Sequence, residues 1–365
     1  MIETVDDIKT IANVGTGTMG HAITLQFALA GYPVHLAGRG EASLEKAMKA
    51  IRSDAEDFAE AGLLKDGDTV DAVLARITGY ADYASGVADV DFVIESVAEN
   101  LDIKKSVWTE VEHAAPKDAI LSTNTSGLSP TALQSVMGHP ERFVVAHFWN
   151  PAQLMPLVEV VPGEKTDPKV VDITFDLMAK IGKKPAKIKK ESLGFVGNRL
   201  QLAVLREAFH IVQQGIADAA TVDDVMKYSL GRRWNLVGPI ASIDLGGLDV
   251  FYNISTYLFD DMDNGTGPSP LLAEKVKEGN FGAKTGQGFF SWQGEDGKRI
   301  IEARNKSLLR SPEGRCRGCR RCAGVRHKYQ GSVTTMTSTE HSTRADMLAH
   351  MGSLQQAAYV RPIEY

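Results

Sequence analysis

Thr10-Ile-Ala-Asn-Val-Gly-Thr-Gly-Thr-Met-Gly20 joins a short apolar segment to a glycine-rich turn. The segment from Thr10 to Val14 has the length and composition of a buried strand. After the turn, apolar residues recur at helical spacing up to Ala30, and Gly31 is a typical helix end. A strand, Gly-x-Gly-x-x-Gly and a helix in this order predict a dinucleotide-binding unit of an α/β sheet.

Five residues of the turn form the predicted cofactor site. Gly15 permits the tight turn, Gly17 lets the backbone approach the pyrophosphate, and Gly20 allows the helix to pack closely on the strand. Thr18 and Met19 open the helix. The pyrophosphate is expected at this helix N-terminus, because the free N–H groups and the helix dipole favour an anion.

The end of the second predicted strand, Val34 to Ala37, bears on the choice between NAD and NADP. An Asp or Glu usually stands there to bind the ribose 2′-hydroxyl. This chain has Gly38 and Arg39 instead, and its first acid is Glu41. Arg39 suits a 2′-phosphate or stacking on adenine, whereas Glu41 could replace the missing acid. The sequence therefore predicts NAD or NADP, and it leans to NADP.

Polar side chains follow two more predicted strands, at 91–96 and 120–122. Glu95 ends the first of them, and Thr123-Asn-Thr-Ser126 follows the second. Open α/β sheets bind ligands at the carboxyl ends of their strands. We therefore expect hydroxyl and amide groups to form a rim that faces a ligand here.

Residues 142–162 predict a strand, a loop and a second strand. His147 ends the first strand and Glu159 lies inside the second. If the strands are neighbours, the carboxylate can bond one ring nitrogen and leave the other free to exchange a proton with substrate. The alternative is a structural histidine in the core and a glutamate that faces solvent from an edge strand.

Several motifs resemble the 3-hydroxyacyl-CoA dehydrogenase family. His147-Phe-Trp-Asn-Pro151 and Leu157-Val-Glu-Val160 are similar to its His-Phe-Phe-Asn-Pro and Leu-Val-Glu-Val signature. Leu193-Gly-Phe-Val-Gly-Asn-Arg-Leu200 resembles its Gly-Phe-x-x-Asn-Arg-Leu motif, except that Gly197 replaces a usual β-branched residue. The resemblance extends from about Ile11 to Trp292, which is most of the chain.

The resemblance and the helical pattern after Lys190 imply two domains. We expect a Rossmann-type, doubly wound α/β domain over residues 1–188 and an all-α C-terminal domain over residues 189–300. In the family the second domain dimerises, so a homodimer is expected.

The resemblance also implies the chemistry, an NAD(P)-dependent interconversion of a 3-hydroxyacyl and a 3-oxoacyl compound in fatty-acid metabolism. His147 is the implied general base, and Glu159 stabilises its imidazolium. Ser126 and Asn198 are implied to bind the substrate oxygens. The implied cofactor-binding residues that follow the strands are Glu95, Glu99 and Asn124.

The carrier of the acyl group stays open. Gly182–Glu191, Asn198–Gln201 and Leu230–Arg233 also resemble a branch that oxidises free hydroxy acids or sugar acids, such as L-gulonate or carnitine. A non-catalytic, crystallin-like relative is a third reading. The presence of the four predicted catalytic residues argues against it.

Composition limits the other classes of function. A net charge of −6 argues against a nucleic-acid-binding domain, and no run of eighteen apolar residues predicts a membrane span. The N-terminal residues are acidic and show no hydrophobic export segment. Residues 1–315 contain no cysteine, so a cytoplasmic protein is expected.

Residues 301–365 form an atypical tail rich in Arg and Cys, which we expect to be disordered or appended. Cys316, Cys319 and Cys322 precede His327, but the common structural zinc sites use two Cys-x-x-Cys arms or a His pair. We therefore predict no metal.

Overall fold

The computed structural model describes residues 2–310, and the first part is built on one eight-stranded sheet. Its strands are β1 (Ile11–Val14), β2 (Val34–Ala37), β3 (Ile77–Tyr80), β4 (Phe92–Glu95), β5 (Ile120–Thr123), β6 (Phe143–Phe148), β7 (Leu157–Pro162) and β8 (Lys184–Lys187). The order is β3-β2-β1-β4-β5-β6-β7-β8, and only β6 and β7 are antiparallel neighbours. The strand order reverses beside β1, which opens a crevice at the carboxyl ends of β1 and β4.

Within residues 2–188, seven α-helices cover the two faces of the sheet. They are α1 (Thr18–Ala30), α2 (Glu41–Glu60), α3 (Val70–Leu74), α4 (Tyr83–Val87), α5 (Leu101–Ala114), α6 (Pro130–Gln134) and α7 (Pro168–Lys180). Phe27 and Leu177 belong to the core under α1, α2 and α7, and Trp108 and Leu133 to the core under α4, α5 and α6. Apolar packing on both faces confirms the predicted doubly wound α/β fold.

Local sequence signals determine where the helices beside the crevice begin. Asn100 caps α5, because its side chain accepts a hydrogen bond from the N–H of Ile103 at 3.0 Å. The Ser129 hydroxyl caps α6 by accepting a hydrogen bond from the N–H of Ala132 at 3.0 Å, and Pro130 occupies the first helical position. Both caps keep the preceding polar loops close to the carboxyl ends of the strands.

Asn13 is a polar residue inside a fully buried strand, and its hydrogen bonds explain its presence. Its amide nitrogen donates to the carbonyls of Gly15 at 2.7 Å and Gly20 at 3.2 Å, and its oxygen accepts from the Ser96 hydroxyl at 3.1 Å. Asn13 therefore ties the glycine turn to the end of the neighbouring strand. A buried polar group that is fully paired in this way carries little penalty.

After β8 the chain forms helices, as predicted. These are α8 (Gly197–Gln213), α9 (Ala219–Val225), α10 (Gly231–Gly246), α11 (Leu248–Leu258), α12 (Pro270–Lys277) and α13 (Gly294–Arg310), with a π-helical segment at Met226–Leu230. Gly238 and Pro239 break α10, and Gly238 has a φ of 70°. No residue from 196 to 296 is buried within the single chain. This helical part therefore has apolar faces but no core of its own.

The described part of the chain includes the first ten residues of the predicted tail. Residues 301–310 complete α13, and Leu309 is buried there. Ile301, Leu308 and Leu309 recur at helical spacing on one face, which extends the helix past the end of the family motifs. Residues 311–365, with the predictions made for their cysteines, lie outside the described part of the chain.

No helix within residues 2–310 combines the length and the apolar character needed to cross a bilayer.

Candidate active site

His147 and Glu159 face each other across the antiparallel pair β6 and β7 as direct register partners. His147 Nδ1 lies 2.9 Å from Glu159 Oε2, and both side chains are buried. Because a carboxylate can only accept, the Nδ1–H donates, and the Nε2 atom is left unprotonated in the neutral ring. The geometry of a general base held by a carboxylate is thus present, and the solvent-facing alternative for Glu159 is wrong.

The second oxygen of Glu159 is also occupied. Oε1 accepts hydrogen bonds from the backbone N–H groups of Val196 at 3.1 Å and Gly197 at 3.0 Å, just where α8 begins. Burial raises the pKa of Glu159, but the hydrogen bonds from His147, Gly197 and Val196 outweigh burial and bring the pKa below 4.5. Glu159 is therefore an ionised carboxylate with a fixed orientation.

A cleft of about 450 Å³ lies in front of His147. It combines the end of β6 with the loops after β4 and β5 and with the start of α8. Its lining residues are Met19, Ser96, Val97, Glu99, Asn124, Ser126, His147, Phe148, Trp149, Asn150, Asn198 and Gln201. Residues predicted for the cofactor, for the substrate and for proton transfer therefore meet in one place.

Ser126 and Asn198 are linked in this cleft. The Asn198 amide nitrogen donates to the backbone carbonyl of Ser126 at 2.8 Å, and the Ser126 hydroxyl donates to Glu99 Oε1 at 3.0 Å. Glu99 also accepts from the Ser126 N–H at 2.7 Å and from Thr125 Oγ1 at 2.6 Å. Burial raises the pKa of Glu99, but these hydrogen bonds and the Lys104 cation hold the pKa below 4.5. Glu99 therefore positions the serine loop.

Glu95 and Asn124 occupy supporting positions. Glu95 is fully buried, and its carboxylate accepts from Lys104 Nζ at 2.7 Å, Thr123 Oγ1 at 2.7 Å and the Val97 N–H at 2.6 Å. It lies behind the cleft, away from a ligand. Asn124 does line the cleft, and its side-chain oxygen accepts from the Phe148 N–H at 2.7 Å.

Lys104 is a structural residue that sequence reasoning missed. Its ammonium is buried and pairs with Glu95 at 2.7 Å and with Glu99 at 3.4 Å. One cation thus joins the end of β4 to the polar loop that follows it. A lysine on an amphipathic helix gives no sign of burial, because most lysines of this kind are solvated.

Lys183 is a second buried lysine that the sequence did not indicate. Its Nζ donates to the carbonyls of Ala152 at 2.6 Å and Met155 at 3.0 Å. These bonds close the loop that follows Asn150. Burial lowers the pKa of Lys183 to about 7.

The glycine turn has the shape that a dinucleotide requires. Gly15 has a φ of 117°, and a Cβ there would lie 2.8 Å from the carbonyl oxygen of Ser96. At Gly20 a Cβ would collide with the carbonyl of Gly15. Because glycine has no Cβ, α1 can approach β1 closely. No atom lies within 4 Å of the Cβ position of Gly17, so there is room for a phosphate beside the first turn of α1. Thr18 and Met19 form that turn.

A separate recess of about 410 Å³ surrounds the end of β2 and is lined by Thr16, Arg39, Gly40, Glu41, Ala42, Ser43 and Tyr83. Arg39 and Glu41, the two groups that compete in the prediction of NADP or NAD, both border it. A Cβ at Gly38 would lie 2.9 Å from Ser43 Oγ and from Thr16 Cγ2. The usual carboxylate could not enter at this position without displacing its neighbours.

Residues 2–310 contain no group of three His, Cys, Asp or Glu side chains that could hold a metal ion.

Two family models match nearly the whole described chain. Residues 10–192 match the 3-hydroxyacyl-CoA dehydrogenase NAD binding domain, and residues 194–292 match the C-terminal domain of the same family. The chain belongs to the 3-hydroxyacyl-CoA dehydrogenase family. Family members are NAD-dependent oxidoreductases that act on CH–OH groups, and this protein is an oxidoreductase of that kind.

Relatives with different substrates resemble the chain to a similar degree. It is 35% identical over 303 residues to 5-formyl-3-hydroxy-2-methylpyridine 4-carboxylate 5-dehydrogenase of Mesorhizobium japonicum, a match that spans 83% of this chain and 96% of that protein. It is 32% identical over 283 residues to 3-hydroxybutyryl-CoA dehydrogenase of Clostridioides difficile, spanning 77% of this chain and 99% of the relative.

A solved structure agrees with the fold of the whole family segment. The crystal structure of a 5-formyl-3-hydroxy-2-methylpyridine 4-carboxylic acid 5-dehydrogenase, an NAD⁺-dependent dismutase, superposes with a TM-score of 0.77 at 32% identity. The match covers 83% of this chain and 96% of that chain. The fold therefore agrees with the family assignment. The relatives named above act on different molecules.

Proposed function

We propose that the protein catalyses the reversible, NAD(P)-dependent interconversion of a 3-hydroxyacyl and a 3-oxoacyl compound, with a 3-hydroxyacyl-CoA as the first candidate substrate. The observation that carries this proposal is the buried His147–Glu159 pair, with Nδ1 at 2.9 Å from Oε2, at the wall of the cleft. With a CoA-linked substrate, a role in fatty-acid metabolism in the cytoplasm is part of the proposal.

His147 moves the proton. In the oxidation direction, its Nε2 accepts the hydroxyl proton of the substrate while the C–H bond of the same carbon breaks and a C=O bond forms. The nicotinamide ring, when bound, supplies the acceptor for the two electrons and the hydrogen of that C–H bond. Glu159 stabilises the imidazolium that results, because the carboxylate is already ionised and bonded to Nδ1.

Ser126 and Asn198 are the residues that we propose to bind the substrate oxygens. Both line the cleft, and the hydrogen bond from Asn198 to the Ser126 carbonyl makes them one rigid unit. Asn198 keeps its second amide hydrogen for a substrate oxygen, and the Ser126 hydroxyl would exchange its bond to Glu99 for one to the substrate, so that both stabilise the charge that develops on oxygen. Of the residues proposed for the cofactor, Met19, Asn124 and Glu99 line this cleft, and Arg39 borders the recess at β2.

A free hydroxy acid or sugar acid is the second candidate. It is favoured by the relative of Mesorhizobium japonicum, whose length the chain covers almost completely and whose name shows a carboxylate without a CoA carrier, with a formyl group at the reacting position. The catalytic pair is compatible with either substrate, because it acts only on the CH–OH carbon.

A substrate screen tests the proposal. Acetoacetyl-CoA with NADH or NADPH is compared with free acids, including L-gulonate and carnitine, with NAD or NADP. Reduction of acetoacetyl-CoA with a kcat/KM at least tenfold above that for any free acid supports the first candidate. The reverse order supports the second, and no turnover of any CH–OH or oxo compound would contradict the proposal as a whole.

The preference between the cofactors is also part of the proposal. NAD is supported by the family domain, and we propose that NADP is at least competitive through Arg39. The supporting features are the absent carboxylate at Gly38 and the exposed guanidinium of Arg39 at the β2 recess. We expect Arg39→Ala to lower kcat/KM for NADP relative to NAD by about tenfold or more, since a charge-assisted hydrogen bond contributes roughly 1.5–3 kcal/mol.

Arg52→Ala is the matched control for Arg39→Ala. Arg52 is another exposed arginine, on α2, and it pairs with Asp71 outside the recess. A wild-type enzyme that strongly prefers NAD, together with an unchanged cofactor ratio in Arg39→Ala, would show that Arg39 is only a solvated side chain.

We further propose that the protein is a homodimer that pairs through its helical part. Among residues 2–310, every strongly exposed large apolar residue except Ile103 and Ile300 lies between Leu193 and Phe290, and Leu236 is 80% exposed. Apolar surface of this extent is typical of an interface. We expect Leu236→Glu to shift the sedimentation coefficient from dimer towards monomer, with Ile103→Glu on α5 as the control. A wild-type monomer at micromolar concentration would contradict this.

A further inference from the structure

Trp149 and Gly197 are far apart in sequence but in contact in the cleft. The three heavy atoms nearest to a Cβ built on Gly197 all belong to the Trp149 indole. Cη2 would lie at 3.0 Å, Cε2 at 3.1 Å and Cζ2 closer still. The φ of Gly197 is outside the left-handed region, so its backbone conformation would accept a side chain. Only the indole prevents one.

Packing alone determines the position of the indole. Its Nε1 is buried and has no hydrogen-bond partner among the described residues. An unpaired buried donor is unfavourable by about 1–3 kcal/mol, so a hydrogen bond does not explain the position of the ring. The ring occupies the space that a side chain at Gly197, at the start of α8, would otherwise fill, and this packing explains its position.

The indole lies beside the reacting position. Its ring centroid is 5.5 Å from that of His147, and both residues line the same cleft. A substrate hydroxyl must come within about 3 Å of His147 Nε2 to exchange its proton. The substituents on the reacting carbon therefore extend next to the Trp149 ring.

We infer that Trp149 is a specificity-determining residue that restricts the enzyme to compact substrates, and that Gly197 is required for it. The inference rests on the proposed function and adds the size of the substrate to it. Both residues also stand at positions where the family motifs have other side chains. A smaller ring at 149 with a side chain at 197 is a second way to fill the same space.

Two measurements test the inference. The first is kcat/KM for 3-hydroxyacyl compounds of four, six, eight and ten carbons, as CoA thioesters and as free acids. Trp149→Phe should raise the ratio of the longest to the shortest substrate by about tenfold or more, as expected for added room of a few methylene groups. Trp234→Phe, the same change in α10 outside the cleft, should leave the chain-length profile as in the wild type.

The second measurement is a double-mutant cycle. Gly197→Ala should lower kcat/KM and change the near-ultraviolet circular dichroism, because its methyl group displaces the indole. Trp149→Phe combined with Gly197→Ala should recover most of the loss, so that the two changes are strongly non-additive. Additive effects, or a chain-length profile that Trp149→Phe leaves unchanged, would overturn the inference. If Gly197→Ala does not fold, the Trp149→Phe profile decides alone.

Failure of the proposed function can be told apart from failure of this inference. If the wild type turns over none of the compounds, calorimetric binding of the same series to wild type and Trp149→Phe still measures the size preference. A preference for short chains that is lost in the variant supports the inference. Equal preference in both proteins contradicts it.

Discussion

His147→Gln should lower turnover by about 10²–10⁴-fold without unfolding the protein, because general acid–base catalysis typically contributes that factor. The glutamine amide can still donate a hydrogen bond to Glu159, so the buried carboxylate keeps a partner. The variant has no group that takes up the hydroxyl proton. Steady-state turnover with the substrate found in the screen measures the effect, and binding of reduced cofactor and a thermal melt establish that the protein is folded.

His139→Gln is the matched control for this variant. His139 also has a glutamate neighbour, with Nδ1 at 3.2 Å from Glu141 Oε1, but both side chains are more than half exposed and outside the cleft. We expect it to behave as the wild type. Near-normal turnover in a folded, cofactor-binding His147→Gln protein would refute the assignment of the base.

Glu159→Gln should reduce turnover by a comparable factor, up to about 10⁴-fold. The amide oxygen can keep the hydrogen bonds from the N–H groups of Val196 and Gly197, which turns the NH₂ group towards His147. Nδ1 must then accept, the proton moves to Nε2, and the ring is in the wrong tautomer to take a substrate proton. The imidazolium also loses its counter-charge.

The same substitution should change how stability depends on pH. The pKa of Glu159 in the folded protein is below its ordinary value of 4.5. Its ionisation therefore stabilises the fold above about pH 4.5, and this contribution is lost as pH falls through the lowered pKa. Between pH 5 and pH 3, wild type should lose more free energy of unfolding than Glu159→Gln. Glu141→Gln, an exposed carboxylate beside His139, serves as the control in both measurements. Parallel pH profiles for wild type and Glu159→Gln would contradict the role of the charge.

Most of the sheet domain could be predicted from local patterns. The strand before Gly15, the helix that ends at Gly31 and the strand Val34–Ala37 each carry their own periodicity and their own stop signals. The strand–loop–strand pattern of residues 142–162 also predicted β6 and β7, but it left open whether the two strands are neighbours. In these segments the local pattern agrees with the overall fold, so each one can be predicted separately from its own sequence.

The remaining features depend on contacts between distant segments. The hydrogen bond from Asn198 to the Ser126 carbonyl spans 72 residues, and no local pattern indicates it. The fit of Trp149 over Gly197 depends on where α8 meets the loop after β6. The sequence reading placed Glu95 on a ligand because it ends a strand, whereas its carboxylate bonds only to protein groups behind the cleft.

The N–H groups that hold Glu159 belong to the first turn of a part of the chain that buries no side chain by itself. Buried Phe195 and the hydrogen bond from Asn198 to Ser126 anchor this turn within the chain, whereas the rest of the helical part would rely on the proposed second subunit. The glycine turn, by contrast, is held by the sheet and by Asn13. If the proposed dimer dissociates on dilution, we therefore expect the helical part to loosen first, so that nucleotide binding outlasts turnover.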